Sequence, residues 1–267
     1  MASFLGRLFT QHLFSLRGAK EYQRGIARRY AEQSERWAEH LHRSQKEVQD
    51  FVAKYQPHVL YVLGSGWLLD LPMDYLLQNV PDLHLVDIAH PRPIVARYKK
   101  QPSVTFDTLD LTGGLVQLLE QTPREHCDPR QLLADIQAIT PPSFYNQRSA
   151  SVISLNLLSQ LPYPLLNDEN ASLLGDYLEV ACASLQKSHI EWMRAFKHAL
   201  MIFDFEEVRN MPHYASPELV PTVYTPLPTL QEKKEWIWLF DCNGSYIHNM
   251  TTHLRVAAGE LETNLPA

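Results

Sequence analysis

Short apolar runs bounded by turn residues recur along the chain from residue 57 onward. They occupy residues 58–63, 83–88, 104–109, 150–155 and 199–205. Such runs are typical of strands buried on both faces of a parallel sheet. Helix-like segments fall between them, at residues 72–79, 94–100, 115–121 and 168–196, and the last is long enough for more than one helix. This alternation predicts an α/β fold with a doubly wound, mostly parallel sheet.

The C-terminal part breaks the alternation. Residues 235–241 and 253–258 are strand-like, and they are joined by Cys242-Asn243-Gly244 and a short segment with no helix between them. Two strands connected in this way are expected to pair antiparallel. A proline-rich, irregular connection over residues 206–230 precedes them.

The first 55 residues have helical rather than strand-like spacing. Apolar positions recur at helical intervals over residues 3–16 and again over 20–55. We therefore predict an N-terminal helical extension, residues 1–55, followed by one domain over residues 56–267. The extension is expected to pack as a cap on that domain, and the alternative is contact with a partner or a membrane surface.

Charge and composition narrow the class of protein. The net charge is −6, with nine basic against six acidic residues in the first 50 and 15 against 24 in the rest. This balance gives no strong nucleic-acid signal. No apolar run reaches the roughly 20 residues of a membrane span, so no transmembrane segment is expected. We expect a cytoplasmic location. The alternative is an organellar one, because the basic N-terminal segment resembles a transit peptide.

The cysteine and histidine positions favour no metal. Cys127, Cys182 and Cys242 show no paired spacing, which favours a reducing, cytoplasmic setting over a disulfide framework. His248 and His253 lack an acid or cysteine that would complete a zinc set. We therefore expect no metal site.

A glycine-containing loop, Gly64-Ser65-Gly66, follows the first predicted strand. Glycines at these positions permit a tight turn and close approach of a ligand to the backbone. Pro72 suits the first position of the next helix, and a helix N-terminus that faces the loop would favour anionic or polar ligand groups. The loop predicts a nucleotide-type site, with a plain strand-to-helix turn as the alternative.

Polar residues end the next three strands. Asp87 comes 23 residues after Gly64, where an acid accepts hydrogen bonds from a ribose diol. Asp110 and Leu111 follow the third strand on the same sheet edge, near the expected place of an adenine amino group. Asn156 follows the fourth strand. Asn156 and Gln160 are candidates for orienting a ligand, and Tyr163 is a candidate for lining its pocket. For each polar residue at these strand ends, the alternative is a role in a turn or a helix cap.

With these residues in place, residues 57–260 resemble the Rossmann-like, S-adenosylmethionine (SAM)-dependent methyltransferases. The resemblance implies that the glycine loop cradles the methionine part of the cofactor. It also implies that Asp87 holds the ribose, that Asp110 contacts adenine, and that an antiparallel strand closes the sheet. The chain departs from the family's usual loop, because Val62 stands at the acidic place and Leu68 at the third glycine place. Asp70 or Asp74 is a candidate to replace the missing acid, and a role at the helix start is the alternative for both.

Three functions remain open from the sequence. The first is SAM-dependent methyl transfer to a small molecule or protein that enters between residues 156–163 and 206–230. The second is an NAD(P)-dependent oxidoreductase, which needs a third glycine where Leu69 stands. The third is a non-catalytic, methyltransferase-like binding protein. No catalytic base stands out, although His90, Tyr163 and Asp204 are candidates by position.

Overall fold

A computed structural model describes residues 16–144, 146–212 and 216–264, without the side chains of residues 16–20 and 168. The predicted helix over residues 3–16 therefore lies almost entirely outside the described residues. Among the described residues, no helix combines the length and apolar character that crossing a bilayer requires.

Among the described residues, eight strands form one sheet. They are β1 (Val59–Leu63), β2 (Asp82–Asp87), β3 (Val104–Thr108), β4 (Ser151–Leu155), β5 (His198–Asn210), β6 (Glu218–Pro221), β7 (Leu230–Asp241) and β8 (Thr251–Leu261). Their order is β3-β2-β1-β4-β5-β8-β7, with β6 paired to β5. The first five strands of this order are parallel, while β8 pairs antiparallel with both β5 and β7. The predicted sheet, including its antiparallel C-terminal strands, is confirmed.

The part of the chain that the structure describes also contains seven α-helices. They are α1 (Leu16–Tyr55), α2 (Met73–Asn79), α3 (Arg92–Tyr98), α4 (Leu115–Gln121), α5 (Pro129–Ala138), α6 (Asp168–Leu174) and α7 (Leu178–Met193). Short 3-10 turns at Tyr163–Leu165 and Gly175–Tyr177 precede α6 and α7. The predicted segment 168–196 is thus two helices.

The two faces of the sheet are covered by different helices. Alternate residues of a strand point to opposite faces. Leu60 and Val62 of β1 belong to the core cluster that contains α1 and α2, whereas Tyr61 and Leu63 belong to the cluster that contains the end of α7. Because apolar side chains on both faces are buried beneath helices, the fold is doubly wound as predicted.

The long helix α1 is built into this core. Trp37, Val48 and Phe51 are almost fully buried in the same cluster as the strand residues, and Trp37 Nε1 donates to the carbonyl of Phe240 at 3.0 Å. The structure thus shows α1 packed against β7. The division into residues 1–55 and 56–267 stays a prediction.

Helix α5 and strand β6 were not predicted, and β5 is longer than predicted, so the expectation of an irregular connection over all of residues 206–230 is wrong. Helix α5 begins at Pro129 behind an Asp128 cap whose carboxylate accepts from Arg130 N at 2.9 Å. Aspartate followed by proline is a helix-start signal that was present in the sequence. Strand β5 continues to Asn210 because its polar second half pairs with β6 on one side and β8 on the other.

Candidate functional site

The glycine loop leaves β1 at the carboxyl edge of the sheet. Gly64 has a φ of +77°, and a Cβ at this position would stand 2.8 Å from the carbonyl oxygen of Leu155. Its N–H donates to Val86 O at 2.9 Å, which ties the loop to β2. Gly66 has a φ of +46°. The loop therefore needs glycine at residue 64 both for its backbone conformation and for the close approach of β4.

Leu68 takes a glycine-like conformation. Its φ is +59°, which an L-residue adopts at a cost of about 1–2 kcal/mol. The side chain is 7% exposed within the core cluster that contains α1. Burial of a leucine contributes about as much as this strain costs. The chain thus keeps a glycine-like backbone at residue 68 while using the side chain for packing.

Helix α2 does not serve the loop in the way the sequence suggested. Pro72 is its N-cap rather than its first helical residue. The start of α2 lines a second cavity of about 790 Å³, shared with Ile94, Arg97 and Tyr98 of α3, and it does not line the cleft above Gly64. The expected preference of the loop for anionic or polar ligand groups therefore gains no support from α2 and stays a prediction.

Asp87 connects β2 to the loop. It is 6% exposed, and its Oδ2 accepts from Gly66 N at 2.9 Å while Oδ1 accepts from Ala89 N at 3.2 Å. Burial raises the pKa of the Asp87 carboxyl, although the hydrogen bonds oppose that rise. Carboxylate oxygens have further lone pairs, so Asp87 holds the glycine loop and remains able to accept hydrogen bonds from a ligand.

Asp110 and Leu111 follow β3 and line the same cleft. Asp110 Oδ1 accepts from Thr112 N at 2.9 Å and from Thr112 Oγ1 at 2.6 Å, which shapes the turn before α4. Leu111 is 6% exposed and supplies an apolar wall. Asp110 thus combines the turn role with a place at the predicted ligand edge.

Asn156 ends β4 with a φ of +48°. Its N–H donates to Ile202 O at 2.7 Å, and its carbonyl accepts from Gln160 Nε2 at 2.5 Å. Both Asn156 Oδ1 and Ser65 Oγ are buried without a hydrogen-bond partner among the described residues. Because such atoms are costly unless they are paired, they mark places where a ligand's polar groups would be received.

One cleft gathers most of the predicted site. It is lined by Gly64, Ser65, Gly66, Asp87, Asp110, Leu111, Asn156 and Gln160. Tyr163 is outside this lining and packs edge-on against Tyr22, with ring centroids 5.5 Å apart. The carboxyl ends of four parallel strands therefore bring these residues together, as the sheet order requires.

Several lining residues were missed because they come from distant parts of the chain. Tyr22, Gln23 and Ile26 of α1 form one wall, and Trp67 Nε1 donates to Gln23 O at 2.7 Å. The helical spacing of α1 showed an apolar stripe but not the surface that the stripe would cover. No local signal identified this wall.

Asp70 also lines the cleft, and a buried histidine lies directly beside its carboxylate. His40 Nε2 stands 2.7 Å from Asp70 Oδ1. His40 Nδ1 accepts from Trp236 Nε1 at 3.0 Å, which orients the ring beside Asp70. The ring also stacks on Trp238 with a centroid distance of 3.8 Å. Asp70 is thereby fixed in position.

The charge of the cleft is one-sided. Asp70, Asp87 and Asp110 line it, and within the described part of the chain no lysine, arginine or histidine does. Three carboxylates around one cleft favour a cation and oppose an anion.

The base candidates have structural partners. His90 Nε2 lies 3.0 Å from the carbonyl oxygen of Asp107. Asp204 is buried and its Oδ1 accepts from Ser159 Oγ at 2.6 Å. Burial raises the pKa of Asp204 to about 6. Neither residue lines the cleft, so neither is placed to take a proton from a ligand bound there.

No protein-family model and no curated protein matches this chain. Among solved structures, it is similar to DhpI in complex with SAH, at 12% identity over 91% of this chain and 95% of that one, with a TM-score of 0.39. The DhpI complex with SAM and HEP is 12% identical over 93% of this chain and 99% of that one, with a TM-score of 0.38. The methyltransferase domain of bacterial CtHen1-CN is 11% identical over 80% of this chain and 98% of that one, with a TM-score of 0.32. Likeness at this level carries no functional conclusion.

Proposed function

We propose that this chain is a SAM-dependent methyltransferase, on the strength of the charge in its cleft. SAM carries a sulfonium, an ammonium and one carboxylate, so its net charge is positive, and three carboxylates without a basic counterpart among the described lining residues favour such a ligand. The order of the strand ends, with Asp87 and Asp110 on successive strands beside the glycine loop, supports the same proposal.

Each lining residue has a role in this proposal. Asp87 accepts hydrogen bonds from the ribose hydroxyls, while Asp110 and Leu111 receive the adenine. The backbone of Gly64 to Gly66, with the unpartnered Ser65 Oγ and Asn156 Oδ1, receives the amino-acid end. The bound cofactor supplies an electrophilic methyl group. The chain contributes alignment of that group with the acceptor, which accounts for much of the rate without a dedicated base.

The acceptor is proposed to be a small molecule or a protein side chain that is neutral or positively charged. An anionic acceptor would meet the same three carboxylates that favour the cofactor. We propose that the acceptor binds beside Gln160, which lines the cleft. A cytoplasmic location remains part of the proposal.

The NAD(P) alternative is less favoured by the site. A dinucleotide diphosphate is bound by a helix N-terminus and backbone N–H groups. Here the start of α2 lines another cavity, and Leu69 occupies the place of the third glycine. The non-catalytic alternative is favoured by one observation, namely that none of the three base candidates lines the cleft.

Calorimetric titration with SAM, S-adenosylhomocysteine (SAH) and NADH tests the proposal. We expect SAM binding that Asp87→Ala weakens by about 10–100-fold, the range for losing one or two hydrogen bonds to a charged group. Asp82→Ala is the matched control, because Asp82 begins the same strand far from the cleft and its side chain is 46% exposed. Binding of NADH in place of SAM would refute the proposal, and binding of neither would favour the non-catalytic alternative.

A further inference from the structure

A groove between α1, α2 and α3 lies beside the cleft and is not used by the proposed function. Its volume is about 790 Å³, and small-molecule sites hold roughly 300–1,000 Å³. Residues 67–69 line both the groove and the cleft, so the two sites share one wall. Gln45 Nε2 of α1 donates to Leu69 O at 2.8 Å, which attaches the helix to that wall. The groove is thus large enough for an organic molecule, and its walls are hydrogen-bonded to one another.

Aromatic side chains form much of the groove surface. Tyr30, Trp67 and Tyr75 are half-buried, and Tyr98 is 7% exposed. The Tyr30 ring packs against Trp37 of the core, with ring centroids 5.9 Å apart. Aromatic rings pack favourably on one another in edge-to-face or offset arrangements. Half-exposed rings in a groove therefore favour a ligand that itself contains an aromatic ring.

One cation and one acid line the groove in the described part of the chain, namely Arg97 and Asp74. The Arg97 guanidinium lies 5.2 Å from the ring centroid of Tyr98, which holds it over the aromatic surface. Arg97 is exposed and forms no ion pair with another described residue. A guanidinium presents paired N–H donors that match the two oxygens of a carboxylate. The side-chain amide of Gln49, which makes no hydrogen bond among the same residues, is a further donor in the groove.

The charges around the groove also favour an anion. Arg92, Lys99 and Lys100 lie on α3 or directly after it, and all three are exposed without an ion pair to any residue that the structure describes. The neighbouring cleft carries three carboxylates and no described base, so a negatively charged ligand is repelled there and attracted to α3. Because Asp74 also lines the groove, a ligand with one negative charge is favoured over a dianion such as a phosphate monoester.

We propose that the groove is a second binding site of this protein, for an aromatic monocarboxylate. The ring of the ligand packs among the aromatic side chains of the groove, while its carboxylate pairs with Arg97 and accepts a hydrogen bond from the Gln49 amide. The protein then binds a cation in the cleft and an anion in the groove, on the two sides of the wall formed by residues 67–69. Occupation of the groove requires no SAM, so this site is independent of the proposed methyl transfer.

Calorimetric titration with naphthaleneacetate and its uncharged analogue naphthaleneacetamide tests the site. The two compounds share the ring and differ in charge, so we expect the carboxylate to bind about tenfold more tightly, as for hydrogen bonds to a charged group. Arg97→Gln should bring the two Kd values within twofold of each other by weakening the carboxylate alone. Arg92→Gln, on the same helix but outside the groove, is the matched control and should keep the tenfold difference. Equal affinities for the wild type, or a difference that survives Arg97→Gln, would overturn the proposal.

A second pair of variants decides where the compounds bind. Ile94 lines the groove and is half-exposed, so Ile94→Trp should fill the groove and abolish binding of both compounds. Ala96→Trp, at an exposed position of the same helix outside the groove, should leave both Kd values within twofold of the wild type. Binding that survives Ile94→Trp would mean that the compounds bind elsewhere, which would overturn the site.

Naphthyl phosphate distinguishes a carboxylate from a phosphate as the anionic group. It carries a second negative charge on a similar ring, and we expect it to bind more weakly than naphthaleneacetate because of Asp74. Tighter binding of the phosphate would overturn the choice of a monocarboxylate. None of these titrations contains SAM, so failure of SAM to bind would contradict the proposed function and leave the result for the groove unchanged.

Discussion

Replacing Asp204 by asparagine should make the protein more stable at neutral pH. Asp204 is 6% exposed in β5, and burial is the main reason that the pKa of its carboxyl is raised to about 6. The Ser159 hydrogen bond opposes this rise, while the nearby Glu207 adds to it. Asparagine retains an oxygen that accepts from Ser159 and carries no charge to bury.

The magnitude follows from proton linkage. A carboxyl whose pKa rises from 3.8 unfolded to about 6 folded binds its proton more tightly in the native state. Its contribution to stability is complete below pH 3.8 and is lost as the pH rises through 6. Each pKa unit corresponds to about 1.36 kcal/mol, so the rise in the Asp204 pKa from 3.8 to about 6 amounts to about 3 kcal/mol of unfolding free energy. Asp204→Asn should escape this loss.

Urea denaturation of both proteins between pH 4 and pH 8 measures the effect. The difference in unfolding free energy, variant minus wild type, should grow by about 2–3 kcal/mol across this range, with most of the change between pH 4 and 6.5. Taking the difference in unfolding free energy between the two proteins removes the contributions of the titrating groups that they share. Asp82→Asn, at a side chain that is 46% exposed, is the control, and its difference should vary with pH less than that of Asp204→Asn. A difference for Asp204→Asn that does not vary with pH would refute the reasoning.

Two further predictions concern the cleft. Gly64→Ala should lower the unfolding free energy by about 2–4 kcal/mol in urea denaturation, because it combines a left-handed φ with a Cβ 2.8 Å from Leu155 O. Gly114→Ala, with positive φ but no atom within 4 Å of the added Cβ, should cost less, and equal losses would mean that the clash is relieved. Asp70→Asn should weaken SAM binding by about tenfold, and SAH binding by less, in calorimetry, because SAH lacks the sulfonium charge. Asp74→Asn, outside the cleft, should change neither affinity, and equal effects of Asp70→Asn on SAM and SAH would contradict the charge argument.

The fold was predictable because its signals are local. Strand β4 is buried at every position, so its apolar run was continuous and stood out. The second half of β5 was missed because residues 206–210 are mostly polar and are held by partners on both sides rather than by burial alone. Strand pairing of this kind depends on residues far along the chain, which no local pattern contains.

The site was predictable only as far as the sheet places it. Asp87, Asp110 and Asn156 each follow a strand, so the parallel sheet brought them to one edge. Of the two candidates for the missing acid of the loop, Asp70 lines the cleft and Asp74 does not. Tyr22 escaped prediction because it lies on a helix whose docking surface is set by long-range packing.

The charge of the cleft also predicts how ligand binding responds to salt. Water and dissolved ions screen the attraction between a cation and the carboxylates of Asp70, Asp87 and Asp110. The affinity for the proposed cationic cofactor, SAM, should therefore fall as the ionic strength rises. The affinity for SAH should fall less, because SAH lacks the sulfonium charge on which the carboxylates act.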